Sequence, residues 1–362
     1  MKILWLAHRD PLNPRAGGAE SIILEVGKRF VKKGYEISLL TGGWKGCKKT
    51  ENLRGINITR YGYRAGPHFA LPLYLLRDNY DIIIADLGHA VPWIFPVLLK
   101  RKTIVSFLHL HARSLPGQVN FLLGRIITSL EKVYFIIYSK ANFVTISSTS
   151  RDDLIGLGIS KERIDMINPG VNSELFKPEK KTAYPSIVYF GGMRPYKRPE
   201  EALYIYKDLR GLFVNLKLTV IGDGPSLPGL KNLADQLNVS DGVIFTGMVS
   251  NEILAELVSV AWLNIHSSIT EGLGISITEA TSAGTPTVAY AVPGVADAIE
   301  DGINGLKVKN GDREALTKAA LSILNNPEKW WSSAVEVAKK YSWDKTAELW
   351  DNLIRRVTRK TK

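Results

Sequence analysis

The chain has 362 residues, of which 45% are hydrophobic and 23% are charged, and its formal net charge is +12. This composition excludes a disordered or fibrous protein, and the length allows two domains with separate cores. Cys47 is the only cysteine, so no disulfide can form within the chain and we expect a reducing compartment.

The first half of the chain alternates predicted strands with predicted helices. A buried strand at residues 2–7 leads to a Gly17-Gly18 turn and to a helix at residues 21–33, where apolar residues recur with helical spacing. A glycine turn between a strand and a helix can bind phosphate, although most such turns are only turns. Further strands are predicted at residues 35–41, 56–61, 81–85, 103–108 and 142–146. The alternation predicts a doubly wound parallel sheet, whose ligands bind beyond the carboxyl ends of the strands.

Two histidines follow the predicted strand at residues 103–108. His109 and His111 share one face of an extended chain, which invites a metal site. No Cys, His or carboxylate cluster supplies further ligands at a recognisable spacing, so we expect no metal. Packed histidines bonded to the backbone are the alternative.

A long apolar helix is predicted at residues 121–138. Arg125, Glu131 and Lys132 interrupt it, which argues against a membrane span. The short apolar run at the N-terminus does not resemble a signal peptide, so we expect a cytoplasmic protein.

The stretch from Asn168 to Pro178 is rich in Pro and Gly and has no periodicity, which is typical of a domain boundary. Beyond it, strands are predicted at residues 186–190, 216–221, 243–247 and 304–308, and a last helix at residues 343–356. The turn after residues 186–190 carries Arg194 and Lys197 before a helix. Two bases in that position can hold a diphosphate, or they belong to an ordinary basic turn.

The most informative segment runs from His266 to Tyr290. It reads as a strand end, a glycine-broken turn, a helix and a further strand, with Glu271 at the start of the helix and Glu279 within it. Eight residues of helical rise separate these carboxylates by about 12 Å. The backbone amides of residues 272–276 would favour an anion between them. The alternative is a helix cap and a solvated surface charge.

Glu271-x7-Glu279, followed by Ala280, Gly284-Thr-Pro286 and Pro293-Gly294, resembles the donor-site motif of the family 4 glycosyltransferases. The resemblance implies an α/β chain of the GT-B fold, in which two Rossmann-like, doubly wound parallel-sheet domains face each other across a cleft. The last helix of this fold crosses back to the first domain. We therefore expect an acceptor-side domain of residues 1–172 plus 343–362, and a nucleotide-sugar domain of residues 173–342.

The resemblance also implies roles for individual residues. The catalytic pair would be Glu271 and His109, with His111 as the alternative histidine. Glu279 would bind the ribose of the donor. The donor diphosphate would be held by Gly17, Gly18, Arg194, Lys197, Ile275 and Ser276, and the sugar by Glu271, Gly272, Leu273 and Gly274. The family usually carries an arginine where this chain has Gly192, and Arg194 is the candidate replacement.

The function implied is that of a retaining, hexosyltransferase-type enzyme of EC class 2.4. It would move a sugar from a nucleotide sugar to an acceptor hydroxyl, with no metal and no cofactor. The alternatives are a nucleotide-sugar epimerase of the same architecture and, in another class, a nucleic-acid-binding protein. We expect replacement of Glu271 or Lys197 by Ala to remove transfer at unchanged thermal stability.

The positive charge lies mostly in the first half of the chain. Residues 1–173 hold 24 Lys and Arg against 13 Asp and Glu, whereas residues 174–362 hold 23 against 22. This asymmetry favours an anionic partner, either nucleic acid or a lipid surface, although a solvated basic surface explains it equally well. The scattered bases and the lack of a recognition motif argue against nucleic acid. A lipid-linked acceptor or a growing glycan, with peripheral contact at the inner face of the membrane, is the remaining hypothesis.

Overall fold

The computed structural model describes residues 1–63, 66–88, 91–108, 110, 125, 129 and 135–359. The chain forms two compact units, Met1–Gly170 with Trp343–Lys362, and Val171–Ser342. The predicted boundary at residues 172/173 lies close to the division between them. Residues 109 and 111, and most of the helix predicted at 121–138, lie outside the described residues.

Each unit contains one β-sheet. Within the described residues the first unit has eight strands: β1 (Lys2–Leu6), β2 (Glu36–Thr41), β3 (Thr50–Leu53), β4 (Ile56–Arg60), β5 (Ile82–Asp86), β6 (Thr103–Phe107), β7 (Asn142–Thr145) and β8 (Ile164–Met166). The second unit has six: β9 (Ser186–Phe190), β10 (Lys217–Ile221), β11 (Val243–Gly247), β12 (Leu263–His266), β13 (Thr287–Tyr290) and β14 (Gly305–Val308).

Helices connect the strands in both units. In chain order they are α1 (Gly18–Lys32), α2 (Gly66–Arg77), α3 (Ile94–Leu98), α4 (Ser148–Gly156), α5 (Glu200–Leu209), α6 (Leu227–Gln236), α7 (Asn251–Val260), α8 (Ile275–Ser282), α9 (Val295–Ala298), α10 (Arg313–Asn325), α11 (Pro327–Ala338) and α12 (Trp343–Arg359). No helix in the described part of the chain has the length and apolar character needed to cross a bilayer.

The sheet of the second unit is parallel throughout, and that of the first unit has one antiparallel edge strand. Strand β3 turns back on β4 through Arg54 and Gly55, which have φ angles of 53° and 88°. Two successive residues with positive φ form the tight turn that joins antiparallel strands. The predicted parallel sheet is therefore correct except at this edge.

The last helix belongs to the first unit and packs against α1. The Asp351 carboxylate accepts hydrogen bonds from Lys33 Nζ at 2.9 Å and from the Tyr35 hydroxyl at 2.6 Å. The rings of Trp5 and Trp350 lie 5.6 Å apart in the core. Contacts between residues more than 300 positions apart thus join the two ends of the chain in one unit.

The order of the strands locates the carboxyl-end crevice of the second sheet. The order is β11-β10-β9-β12-β13-β14, so the chain builds outward from β9 on one side and then continues with β12 on the other. Such a reversal opens a crevice beyond the carboxyl ends of the two neighbouring strands, where open parallel sheets bind ligands. The loops that follow β9 and β12 border this crevice.

Candidate functional site

Three loops meet at the carboxyl ends of β9, β12 and β13. The backbone N–H of Ile269 donates to the carbonyl of Tyr196 at 2.9 Å, which joins the first two loops. Ser267 Oγ donates to the Arg198 carbonyl at 2.7 Å and strengthens that junction. The N–H of Glu271 donates to the Pro293 carbonyl at 3.1 Å and joins the third loop. These bonds hold the basic turn beside the first glutamate of the motif.

Lys197 and Glu271 form an ion pair at this junction. Lys197 Nζ lies 2.6 Å from Glu271 Oε1, and the two side chains are 18% and 14% exposed. The same oxygen accepts a hydrogen bond from Ser268 Oγ at 2.7 Å, and His266 Nε2 lies 3.4 Å from it. His266 Nδ1 is 3.2 Å from Ser276 Oγ. One carboxylate oxygen is therefore surrounded by groups from two loops and from the end of β12.

The surroundings keep both partners of the ion pair charged. Burial by itself would raise the pKa of Glu271, but the Lys197 ammonium and His266 hold that pKa well below its ordinary value. Burial likewise would lower the pKa of Lys197, and the Glu271 carboxylate outweighs it and raises the pKa. The site thus presents an ammonium and a carboxylate of fixed charge at neutral pH.

Helix α8 begins later than the sequence predicted. Gly274 has φ 72° and ψ 58°, a left-handed conformation that ends the loop, and the helix starts at Ile275. Glu271 therefore lies in the loop, so the helical rise used to predict a separation of about 12 Å does not apply to the first half of that stretch. Leu273 is buried in the core, so only its backbone can face a ligand.

The start of α8 nevertheless has unused hydrogen-bond donors. No acceptor within the described residues receives the backbone N–H of Ile275 or of Ser276. Such donors at the start of a helix favour an anion. The diphosphate role predicted for these two amides stays a prediction that this geometry permits.

Glu279 has a different environment from Glu271, although both are half-buried. It lies within α8, is half-buried, and makes no side-chain hydrogen bond or ion pair to any other described residue. Burial raises the pKa of Glu279 to about 8. A carboxyl group without a partner on a half-buried wall is a free hydrogen-bonding group for a ligand.

The Pro293-Gly294 loop sets the position of the Glu271 backbone. Gly294 has φ 82°, and a Cβ at this position would lie 2.1 Å from the Glu271 carbonyl oxygen. We expect Gly294→Ala to displace the Glu271 loop and to weaken binding of a nucleotide sugar, the ligand that the family resemblance implies, by about tenfold, in addition to the backbone strain of about 1–3 kcal/mol. Titration calorimetry and thermal unfolding measure the two effects.

Gly302→Ala is the matched control, since Gly302 has φ 80° but nothing within 4 Å of a Cβ. It should lose similar stability and bind nucleotide normally. Equal nucleotide affinity in the two variants would show that the contact with the Glu271 carbonyl is unimportant.

Arg194 and the Gly17-Gly18 turn are the other predicted diphosphate ligands. Arg194 is exposed, and its positive charge partly opposes the increase that Glu271 causes in the pKa of Lys197. In the first unit, helix α1 starts at Gly18, and the Gly17 N–H donates to Glu20 Oε2 at 2.7 Å. Arg9 Nε lies 2.9 Å from the other oxygen of Glu20. The Gly17 amide is therefore already satisfied by a carboxylate of its own helix.

Sequence reasoning missed His266 and Ser268 as part of the site. Both lie in or just after β12, at the carboxyl end where ligands bind, and this position was the signal that could have identified them. The predicted histidines, His109 and His111, lie outside the described residues. No cluster of three or more His, Cys, Asp or Glu residues that could hold a metal occurs among those that are described.

The fold and the site together define a GT-B glycosyltransferase. The family model for glycosyl transferases group 1 matches residues 171–340, and the model for glycosyltransferase family 4 matches residues 16–175. D-inositol 3-phosphate glycosyltransferase 2 of Catenulispora acidiphila is 30% identical over 95% of this chain and 92% of its own. The chain therefore belongs to the family 4, group 1, glycosyltransferases.

Solved structures show the same fold at lower identity. Sucrose-phosphate synthase of Thermosynechococcus elongatus superposes with a TM-score of 0.81 at 20% identity, over 98% of both chains. HepE of Anabaena, solved in complex with UDP and glucose, gives a TM-score of 0.78 at 15% identity, over 98% of this chain and all of its own.

Proposed function

We propose that this chain is a retaining, hexosyltransferase-type enzyme that moves a sugar from a nucleotide sugar to an acceptor hydroxyl. The observation that carries the proposal is the Lys197–Glu271 pair beside the start of α8, where the Ile275 and Ser276 amides and the Glu279 carboxyl have no partner among the described residues. These groups match the three parts of a nucleotide sugar in chemistry: a polyhydroxyl sugar, a diphosphate and a ribose.

The division of roles follows from charge. The Lys197 ammonium, the exposed Arg194 and the amides of Ile275 and Ser276 stabilise the negative charge that develops on the diphosphate as it leaves. Glu271 accepts hydrogen bonds from sugar hydroxyls, and the backbone of residues 272–274 lines the same part of the site. Glu279 accepts hydrogen bonds from the ribose hydroxyls.

In the proposed reaction the bond between the anomeric carbon and the diphosphate oxygen breaks, and a bond from that carbon to the acceptor oxygen forms on the same face. The acceptor proton passes to the leaving diphosphate. The positive groups of the site supply the charge that a metal ion would otherwise supply, so we propose a metal-independent reaction. EDTA should leave the rate of sugar transfer unchanged, and added divalent ions should not increase it.

The donor nucleotide can be found by thermal unfolding. HepE was solved with UDP and with UDP-glucose, so uridine donors come first in a screen that also contains guanosine and adenosine donors. A nucleotide sugar present at about 100 times its Kd should stabilise the fold by about 2.7 kcal/mol. Proton NMR of the product then reports whether the anomeric configuration is retained.

Incubation of the chain with the stabilising donor alone separates the two enzyme hypotheses. A transferase leaves the donor intact or hydrolyses it slowly, whereas an epimerase produces a new nucleotide sugar without an acceptor. The proposal is wrong if no nucleotide sugar raises the melting temperature or if an epimerised donor accumulates.

A further inference from the structure

An apolar helix face is exposed to solvent in the first unit. Leu71 and Leu75 of α2 are buried in the core, whereas Phe69, Leu73 and Leu76 are 78%, 67% and 78% exposed. The spacing of these three residues puts them on one side of the helix. A helix that is apolar all round is normally covered on every side, and no described part of the chain covers this face.

Helix α3 extends this surface. It contacts α2, and Leu98, near its end, is 65% exposed. Six exposed residues of α2, α3 and the position after α3 form the apolar face: Phe69, Leu73, Leu76, Phe95, Leu98 and Leu99. Exposed apolar residues grouped on two helices that contact each other are typical of an interaction site for a protein or a membrane.

Positive charge borders the apolar face directly. Lys100, Arg101 and Lys102 follow Leu99, and the Arg101 guanidinium donates to the Leu75 carbonyl at 2.8 Å, which holds this basic loop at the end of α2. The loop lines a groove of about 740 Å³ whose wall also contains Lys140 and Arg163. Five cations and one acid, Glu162, therefore surround the groove.

We propose that the apolar face and the basic groove together dock the first unit on an anionic lipid bilayer. The apolar side chains enter the boundary between headgroups and acyl chains, and the cations meet the lipid phosphates. Tyr63, exposed before the start of α2, adds an aromatic ring of the kind enriched at that boundary. Charge complementarity selects an anionic bilayer over an uncharged protein surface, because the groove concentrates cations that an apolar partner would leave unpaired.

Vesicle flotation tests this proposal without any measurement of sugar transfer, so its outcome is independent of the proposed function. The full chain should float with vesicles of phosphatidylglycerol and phosphatidylcholine, and its bound fraction should fall as salt rises. Phe69→Ser/Leu73→Ser/Leu76→Ser removes exposed apolar groups only and should weaken partitioning at least tenfold. Lys100→Gln/Lys140→Gln should weaken it by about tenfold on anionic vesicles alone.

Matched controls distinguish loss of the docking surface from a general loss of exposed apolar residues or of positive charge. Leu212→Ser/Val214→Ser/Met248→Ser removes three exposed apolar residues of the second unit, and Lys45→Gln/Lys48→Gln removes two exposed lysines elsewhere in the first unit. Both should float like the parent chain. Circular dichroism and thermal unfolding confirm that each variant is folded.

The proposal is overturned if the parent chain does not float, or if the Phe69/Leu73/Leu76 variant floats like the parent. Equal binding of the parent chain to neutral and to anionic vesicles overturns the role of the basic groove. A dimer in light scattering that the same serine variant dissociates, with no vesicle binding by the parent, would assign the apolar face to a second copy of the chain.

Discussion

Lys197→Met should lower the rate of sugar transfer by at least 100-fold. The ammonium is the buried cation of the site, it lies 2.6 Å from Glu271, and in the proposed reaction it stabilises the departing diphosphate. Loss of one such charge-stabilising group from an enclosed site costs about 100- to 1,000-fold in rate. Steady-state kinetics with the donor found by thermal unfolding measures the loss, which should fall on kcat more than on KM.

The same substitution should also lower the free energy of unfolding, which the sequence alone did not lead us to expect. Lys197 and Glu271 are paired and mostly buried, so removal of one partner leaves a buried charge without compensation, at a cost of about 2–3 kcal/mol. Lys197→Met/Glu271→Gln removes both charges and should be more stable than the sum of the single variants predicts. Thermal unfolding of the parent chain, the two single variants and the double variant measures the interaction energy of the pair.

Lys181→Met provides a control for the loss of stability. Lys181 Nζ donates to Thr285 Oγ1 at 2.7 Å and to the Ser259 carbonyl at 2.8 Å, and the residue has no place in the proposed site. This variant should be destabilised and yet transfer sugar at a normal rate below its melting temperature. Normal transfer by the Lys197→Met variant under the same conditions would contradict the assignment of the diphosphate site.

Glu279 should make the stability of the free chain depend on pH. The carboxyl has an ordinary pKa of 4.5, and burial raises it to about 8 in the folded chain. Between these values the folded chain holds a proton that the unfolded chain has released, so the free energy of unfolding falls as the pH rises from 4.5 through 8. After allowance for partial exposure, the loss should be about 2–4 kcal/mol.

Glu279→Gln should flatten this slope, because glutamine remains neutral throughout the range. Glu256→Gln, at an exposed position of the same unit, should leave the slope unchanged. Urea unfolding at pH 5, 6, 7, 8 and 9 measures the effect. Parallel slopes in the parent chain and the Glu279→Gln variant would show that this carboxyl does not titrate in the window.

Nucleotide binding should be linked to the same proton. Ribose hydroxyls that donate to Glu279 favour its carboxylate, so binding releases a proton and the affinity should rise with pH up to about 8. Titration calorimetry in buffers of different ionisation enthalpy detects the released proton. The Glu279→Gln variant should bind at least tenfold more weakly and release none.

Much of the architecture could be predicted because strands and helices leave local patterns. The predicted strands at residues 186–190 and 243–247 match β9 and β11 residue for residue. Strand β3 could not be predicted, since its four residues are partly polar and form a strand only by pairing with β4. Helix α2 was predicted only as one of the helices between the strands, without bounds, because Pro72 lies inside it and its apolar residues show no clear helical period.

The candidate site was predictable to the extent that its residues are close in sequence. Glu271, Glu279 and the basic turn with Lys197 were found from spacing. The start of α8 was misplaced because the left-handed Gly274 is a feature of the backbone conformation, and the sequence shows only a glycine. The buried pair of Asp10 and Arg60, whose atoms approach to 2.8 Å from positions 50 residues apart, shows no local signal of any kind.

The sequence by itself determined that two glutamates stand eight residues apart in a glycine-rich turn and helix between two strands. Only the tertiary structure decided which partners each glutamate has and whether its carboxyl group is ionised. Folding brings Lys197, 74 residues away, to Glu271 and keeps that carboxylate ionised. Glu279 meets no cation among the described residues, and burial raises its pKa to about 8. The reason is physical: the charge of a carboxyl group depends on burial and on partners that lie close in space, and a linear chain specifies neither until it folds.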